Sequence, residues 1–298
     1  MFDTVPQLDC AGRLIRLDRP QVMGIVNVTP DSFSDGGEHA TLAAAVAHAL
    51  KLAEEGADLL DVGGESTRPG AEEVSLEEEL RRVIPVIEQL SKQTTLPISI
   101  DTSKPEVMRA AVGAGAGMIN DVYALRREGA LDAAAELRVP VVLMHMLGEP
   151  RSMQQSPEYD DVVGDVHRFL TERLFAAEMA GIAKKNLIVD PGFGFGKNTQ
   201  HNLSLLAQLQ RFTELGVPVL AGLSRKRTLG EITGRDAAHD RISASVAAHL
   251  IAAQRGASIL RVHDVAQTVD ALKVWNAVAA VPMPRKDSTP AIRWPDDD

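Results

Sequence analysis

Eight polar side chains stand at or just beyond the carboxyl ends of short apolar runs: Asn27, Asp61, Asp101, Asn120, Asp190, Lys226, Arg261 and His263. Carboxylates accept paired N–H bonds and attract cations, whereas guanidinium, ammonium and imidazole groups attract phosphate or carboxylate oxygens. Arg261 and His263 are two residues apart and so share one side of an extended strand. Taken singly, any of these residues would serve equally well to end a strand or cap a helix. Their recurrence at successive strand ends argues instead for a polar pocket with a cation-binding part and an anion-binding part, provided one fold brings the ends together.

The elements that must do so follow from periodicity. Apolar, β-branched runs at 22–26, 58–60, 96–100, 117–119, 139–144, 187–189, 217–220 and 257–262 predict eight strands. Between them, Ser75 and Glu78 form a capping box, and Leu76, Leu80, Val83, Ile84, Ile87 and Leu90 line one helical face, with a kink expected at Pro85. Other helices are expected to begin near Thr41, Ser103, Asp161, Asn202 and Val265, and residues 237–255 add one before the last strand. Short, fully apolar strands alternating with helices predict an α/β fold, a single (β/α)8 TIM barrel, over an open doubly wound sheet. The barrel spans 1–281, with LDCAGRLIRL as an N-terminal β-hairpin closing its lower mouth and 282–298 as a loose, proline-rich tail. Sites in this fold sit where the strands end, so the polar set falls on one face.

At 298 residues, 45% hydrophobic and 24% charged, the chain can bury a core without staples. A net charge of −10 argues against a nucleic-acid or anionic-membrane surface, so a bound phosphate needs a local group of donors. Cys10 is the one cysteine, which excludes an intramolecular disulfide and favours a reducing, cytoplasmic setting. No run approaches the roughly 18 apolar residues of a membrane span, and the start MFDTVPQLDCAGRL has no long apolar core.

The strand ends carry ordered motifs: NVTPDSFSDGG from Asn27, DVGGESTRPG from Asp61, IDTSKP from Ile100, MINDV from Met118, LMHM from Leu143, DPGFGFGK from Asp190, SRK from Ser224 and RVHDV from Arg261. In this order, from about Val22 to Val278, they resemble the dihydropteroate synthase family of pterin-binding barrels. A single glycine-rich segment would say little; the ordered set is specific.

That resemblance implies a transferase of folate biosynthesis, which joins a pterin diphosphate to para-aminobenzoate and is inhibited by sulfonamides. It implies that Asp190 accepts paired N–H bonds from the pterin ring, with Asp101, Asn120 and Lys226 on the remaining heteroatoms and Met144 packed against the ring. Arg261 and His263 resemble the family's pocket for the departing anion, and Asn27 the amide that holds Mg²⁺ with the diphosphate. Thr67, Arg68 and Pro69, with Phe33 and Phe195, match the walls around the second substrate, and Asp61 and Ser224 belong to the same mouth. Arg227 departs from many relatives, which carry a serine there for the carboxylate. Asp101, Lys226, Arg261 and His263 are the expected catalytic group, with Asp31 and Asp35 as further carboxylates near the ring cation. The family also implies a homodimer. A pterin-dependent corrinoid methyltransferase and an inert pterin-binding protein are the competing readings; the TRPG loop, SRK and RVH favour the synthase.

Overall fold

The computed structural model describes residues 5–29, 37–66, 73–148 and 157–281, with side chains of the first helix described from Leu42 onward. The expected tail at 282–298 lies outside them.

An antiparallel hairpin comes first, β1 (Gln7–Cys10) and β2 (Arg13–Arg16). Ala11 and Gly12 both take positive φ, 54° and 86°, as a two-residue hairpin turn requires, and Gly12 N–H donates to Asp9 Oδ1 at 2.7 Å. Eight parallel strands follow: β3 (Gln21–Asn27), β4 (Leu59–Gly63), β5 (Ile98–Asp101), β6 (Met118–Asp121), β7 (Val141–Met144), β8 (Leu187–Asp190), β9 (Leu220–Ala221) and β10 (Ile259–Val262). Each expected run meets a strand, the run 217–220 only at Leu220. They pair in the order β8-β7-β6-β5-β4-β3-β10-β9, and a parallel bridge between Val189 and Val219 joins the two ends. The sheet therefore closes, where a doubly wound sheet would keep open edges.

Alternation along the strands divides the core in two. Met23, Leu59, Met118, Val142, Ile188, Leu220 and Ile259 face the barrel axis and pack against Leu8, Cys10 and Ile15 of the hairpin. The hairpin is thus a plug. A Cβ on Gly117 would lie 2.4 Å from the Cys10 carbonyl oxygen, so this close approach requires glycine. The alternate positions, among them Val22, Leu60, Ile100, Ile119, Val141 and Leu260, face the helices. Burying each such side chain is worth about 1.5–3 kcal/mol, enough to hold short strands in register.

The helices are α1 (Gly37–Glu54), α2 (Leu76–Gln93), α3 (Pro105–Ala114), α4 (Ala130–Leu137), α5 (Val162–Met179), α6 (Thr199–Ala207), α7 (Gln210–Thr213), α8 (Arg227–Thr233), α9 (Ile242–Gln254) and α10 (Val265–Ala279). Ser75 caps α2 by accepting Glu78 N–H at 3.2 Å, but the Glu78 carboxylate pairs with Arg81 and Arg82 instead of completing the box. α2 is continuous through Pro85. Asn202 does not open α6; Asn198 does, through a reciprocal bond with His201. Asn202 is buried and joins the Gly194 turn to the start of α8, accepting Gly194 N–H at 2.8 Å and donating to Thr228 Oγ1 at 3.1 Å. α9 is the additional helix before the last strand. No helix among the described residues is long and apolar enough to cross a membrane.

One step of two residues beyond the plug layer leads to the mouth. Asp61 follows Leu59, Asp101 follows Ser99, Asn120 follows Met118, Met144 follows Val142, Asp190 follows Ile188 and Arg261 follows Ile259.

Candidate active site

Arg261 is the hub of this polar layer. Its Nε donates to Asp61 Oδ2 at 2.6 Å and its Nη2 to Asp101 Oδ2 at 2.7 Å, while Asn120 Nδ2 donates to the same Asp61 oxygen at 3.0 Å. The Asp61 side chain is fully buried, and among the described residues its Oδ1 has no hydrogen-bond partner. Burial works against the Arg261 cation, but Asp61 and Asp101 outweigh it and hold its pKa above the ordinary guanidinium value. For Asp101, burial leads; Arg261 opposes it and Asp61, Glu79 and Asp121 reinforce it, leaving the carboxyl pushed up to about 7. Asp101 can therefore hold or release a proton near neutrality. A cleft opens beside it, running past Thr102 and Ser103 to Tyr123, Arg127 and Glu65.

Asp190, at the end of β8, accepts Gly192 N–H on Oδ1 at 2.7 Å, which fixes its carboxylate plane. Gly192 has φ 71°, and a Cβ there would meet the His145 carbonyl oxygen at 1.9 Å, so the turn admits only glycine. Burial pushes the Asp190 pKa up to about 6 against the pull of that N–H and of Lys226, Lys197 and Arg261. Val122, Met144, Met146 and Phe195 form a buried apolar wall nearby. Lys226, the residue capping α8, places Nζ 4.3 Å from the centre of the Phe195 ring, a cation on a π face. Lys197, at the end of the same turn as Phe195, is buried, with Nζ 2.9 Å from Gly192 O, Phe195 O and His145 Nδ1.

The SRK turn lies across the mouth. Ser224 Oγ accepts His263 N–H at 3.1 Å and lies 2.9 Å from His263 Nδ1, so the two are one unit. Arg225 has φ 57°, an uncommon conformation for a side-chain-bearing residue, and it is held on all sides. Its side chain pairs with Asp264 at 2.6 and 3.1 Å, its N–H donates to Ser245 Oγ at 2.9 Å, and its carbonyl accepts from Arg241 Nη1 at 3.0 Å. Buried His249 accepts Leu223 N–H at 3.2 Å; burial drops its pKa to about 4, so it is a neutral acceptor. Arg241, Ser245 and His249 stand four apart, and one face of α9 thus shapes the turn. Arg227 points outward, 85% exposed, and pairs with Glu231 at 2.7 Å.

Asp61, Asp101, Asn120 and Arg261 thus form one network, Met144, Asp190, Phe195 and Lys226 a second beside it, and Ser224 and His263 a third. Asn27 ends β3 opposite Gly63. Phe33, Thr67, Arg68 and Pro69, with Asp31 and Asp35, lie outside the described residues. Sequence reasoning missed the roles of Lys197, His249 and Lys104, whose Nζ joins Glu65 at 2.5 Å and buried Glu79 at 2.6 Å. Lys197 closes a motif singled out above and Lys104 stands inside another, a usable signal; His249, within α9, left none.

The pterin binding enzyme family matches residues 23–263. A dihydropteroate synthase of Escherichia coli K12 is 53% identical over 271 residues, 91% of this chain and 96% of that protein. Among solved structures, Xanthomonas albilineans dihydropteroate synthase with 4-aminobenzoic acid superposes with a TM-score of 0.90 at 73% identity, over 94% of this chain and 100% of that one. The Yersinia pestis enzyme in a sulfonamide drug complex gives a TM-score of 0.88 at 49% identity, over 92% and 100%.

Proposed function

From the premise that this chain belongs to the pterin-binding family of dihydropteroate synthases, we propose the following division of labour among its residues. The chain is a transferase: it condenses (7,8-dihydropterin-6-yl)methyl diphosphate with para-aminobenzoate to give 7,8-dihydropteroate and diphosphate, a step of folate biosynthesis.

The observation that carries the assignment of roles is Asp190, a buried carboxylate oriented by one backbone N–H and bordered by an apolar wall. With a pKa of about 6 it is mostly ionised at neutral pH, and it accepts the ring N–H and exocyclic amine of the pterin. Asn120 and Lys226 address the other ring heteroatoms and Met144 packs on its face, while Phe195 belongs to the walls around the second substrate. Nε and Nη2 of Arg261 are committed to Asp61 and Asp101, which holds the guanidinium plane still and leaves its face and Nη1 for substrate. His263, fixed by Ser224, lies toward the departing diphosphate. We favour a dissociative path, because an electron-rich pterin stabilises a cationic methylene before the amine attacks. Ionised Asp101 then stabilises that cation, and catalysis rests on electrostatics and positioning. The arylamine is already a nucleophile, so Ser224 has no covalent part. Phe33, Thr67, Arg68 and Pro69 complete the second substrate's walls, and the SRK turn faces its carboxylate.

Mg²⁺ is the implied cofactor. Asn27 offers an amide oxygen at the mouth, and among the described residues no group of three or more His, Cys, Asp or Glu side chains could hold a metal. That donor set fits a hard cation held mainly by substrate phosphate oxygens. When bound, it would neutralise charge on the diphosphate. A cytoplasmic homodimer completes the proposal, resting on the lone Cys10 and on the family. The test is turnover of purified protein with both substrates: a product of dihydropteroate mass with matching diphosphate release is expected, and binding without turnover would refute the assignment.

A further inference from the structure

The buried amine of Lys197 has no part in the chemistry above, although it bonds the carbonyl of Gly192, whose N–H holds the Asp190 carboxylate, and its charge acts on that carboxylate. Burying an ammonium without a carboxylate partner is costly, and among the described residues no carboxylate takes a hydrogen bond from Lys197. Its three short contacts are Gly192 O, Phe195 O and His145 Nδ1, each at 2.9 Å, with His145 O a longer fourth at 3.4 Å. An ammonium has three N–H groups for these three acceptors. As a neutral amine it would donate to both carbonyls and accept Nδ1–H from the other His145 tautomer, so the contacts survive in either state while the charge does not. The two carbonyls belong to the turn that does the site's work: Gly192 N–H anchors Asp190, and the Phe195 ring carries Lys226.

We propose that Lys197 is a positioning residue of the pterin site, whose Nζ ties the Gly192–Lys197 turn together and whose charge behind Asp190 keeps that carboxylate ionised for the ring N–H groups. The inference rests on Asp190 being the ring's acceptor. Asp190 faces Lys226 at the start of α8, Arg261 from β10 and Lys197 from its own turn. Lys197 faces Asp190 and Lys226, and His145, which burial together with Lys197 and Arg126 drops to about 2, is its neutral partner. Burial lowers Lys197 to about 7 while Asp190 works to restore it. Each charge therefore supports the other, and by linkage the support is equal in both directions.

A pin that acts only by shape would weaken pterin binding equally at every pH. A charge acting through Asp190 moves the acid limb of binding, which in the unaltered protein lies near pH 6. The experiment is calorimetric titration of a pterin alcohol lacking the diphosphate into the wild-type protein, Lys197→Met and Lys197→Arg, from about pH 5 to about pH 7.5. Lys197→Met should move the limb upward by about one unit, which weakens binding about fivefold at pH 6, while Lys197→Arg stays near wild type. An unmoved limb in Lys197→Met overturns the proposal, with or without a uniform loss of affinity. Should Lys197→Met fail to fold, the reciprocal effect serves: the ¹³Cε resonance of Lys197 should titrate at lower pH in Asp190→Asn than in wild type, and an identical midpoint overturns the proposal. Absence of pterin binding by the wild type would be a different failure, that of the underlying ring-site assignment.

Discussion

Asp101→Asn should stabilise the protein at alkaline pH and not at acid pH, while slowing turnover. The wild-type carboxyl is driven from 3.8 to about 7, first by burial and then by Asp61, Glu79 and Asp121, with Arg261 alone in opposition. A carboxyl raised in the folded state contributes stability below its unfolded pKa and loses it as pH rises through the folded value, here between about pH 4 and about pH 7. About three units at roughly 1.4 kcal/mol each set an upper figure near 4 kcal/mol for keeping Asp101 ionised at pH 8. Asparagine keeps the shape and an oxygen for Arg261 Nη2, but a neutral acceptor in place of a charged one gives back about 1–2 kcal/mol. A net gain of about 2 kcal/mol would raise the midpoint by about 3 °C at pH 8 in a chain of 298 residues. Near pH 5 the wild-type carboxyl is already mostly protonated and the gain should vanish. Thermal unfolding of both proteins at the two pH values checks this, since every other titrating group is common to both. An equal gap at pH 5 and pH 8 would refute the account of Asp101. Stability gained with rate lost is the expected trade at a residue held charged for function.

Asp190→Asn replaces a charged acceptor by a group that can present a donor, and should weaken pterin binding by about 1.5–3 kcal/mol, roughly 10- to 150-fold; unchanged affinity by calorimetry would remove Asp190 from the ring site. Sulfonamides imitate the shape and charge of para-aminobenzoate, and the Yersinia pestis relative is seen in a sulfonamide drug complex, so inhibition should be competitive against para-aminobenzoate. A purely noncompetitive pattern would contradict that. His249→Phe fills the space but strips Leu223 N–H of its acceptor, costing about 1–3 kcal/mol; it should lower the melting temperature and raise KM for para-aminobenzoate more than for the pterin diphosphate, whereas equal KM changes would detach α9 from the SRK turn.

The barrel was legible because its strands are buried on both faces, and continuous apolar runs such as 139–144 and 187–189 are the direct imprint of that burial. The site was legible for a related reason: a period of two makes the residue two beyond the last inward side chain the first to reach the mouth, as with Asp61, Asp101, Asn120, Asp190 and Arg261. Local signals were sound where local bonds decide, as at the Ser75 cap and the Ala11–Gly12 turn. They failed where a side chain had a better partner far along the chain. Asn202 looks like a cap but joins Gly194 to Thr228, and Glu78 leaves its capping box for two arginines. Sequence alone showed Arg261 as a cation for an anion; only closure of the barrel brings it against Asp61 and Asp101, 200 and 160 residues away, and so lifts the Asp101 pKa toward neutrality. His249 carries no such imprint, because its meaning lies in desolvation and in a donor supplied by another element, which periodicity cannot encode; Lys197 stands in a motif, but its burial and its bonds came only with the fold. Residue type and spacing determined which groups reach the mouth; tertiary packing decided which of them are charged there and what holds them still.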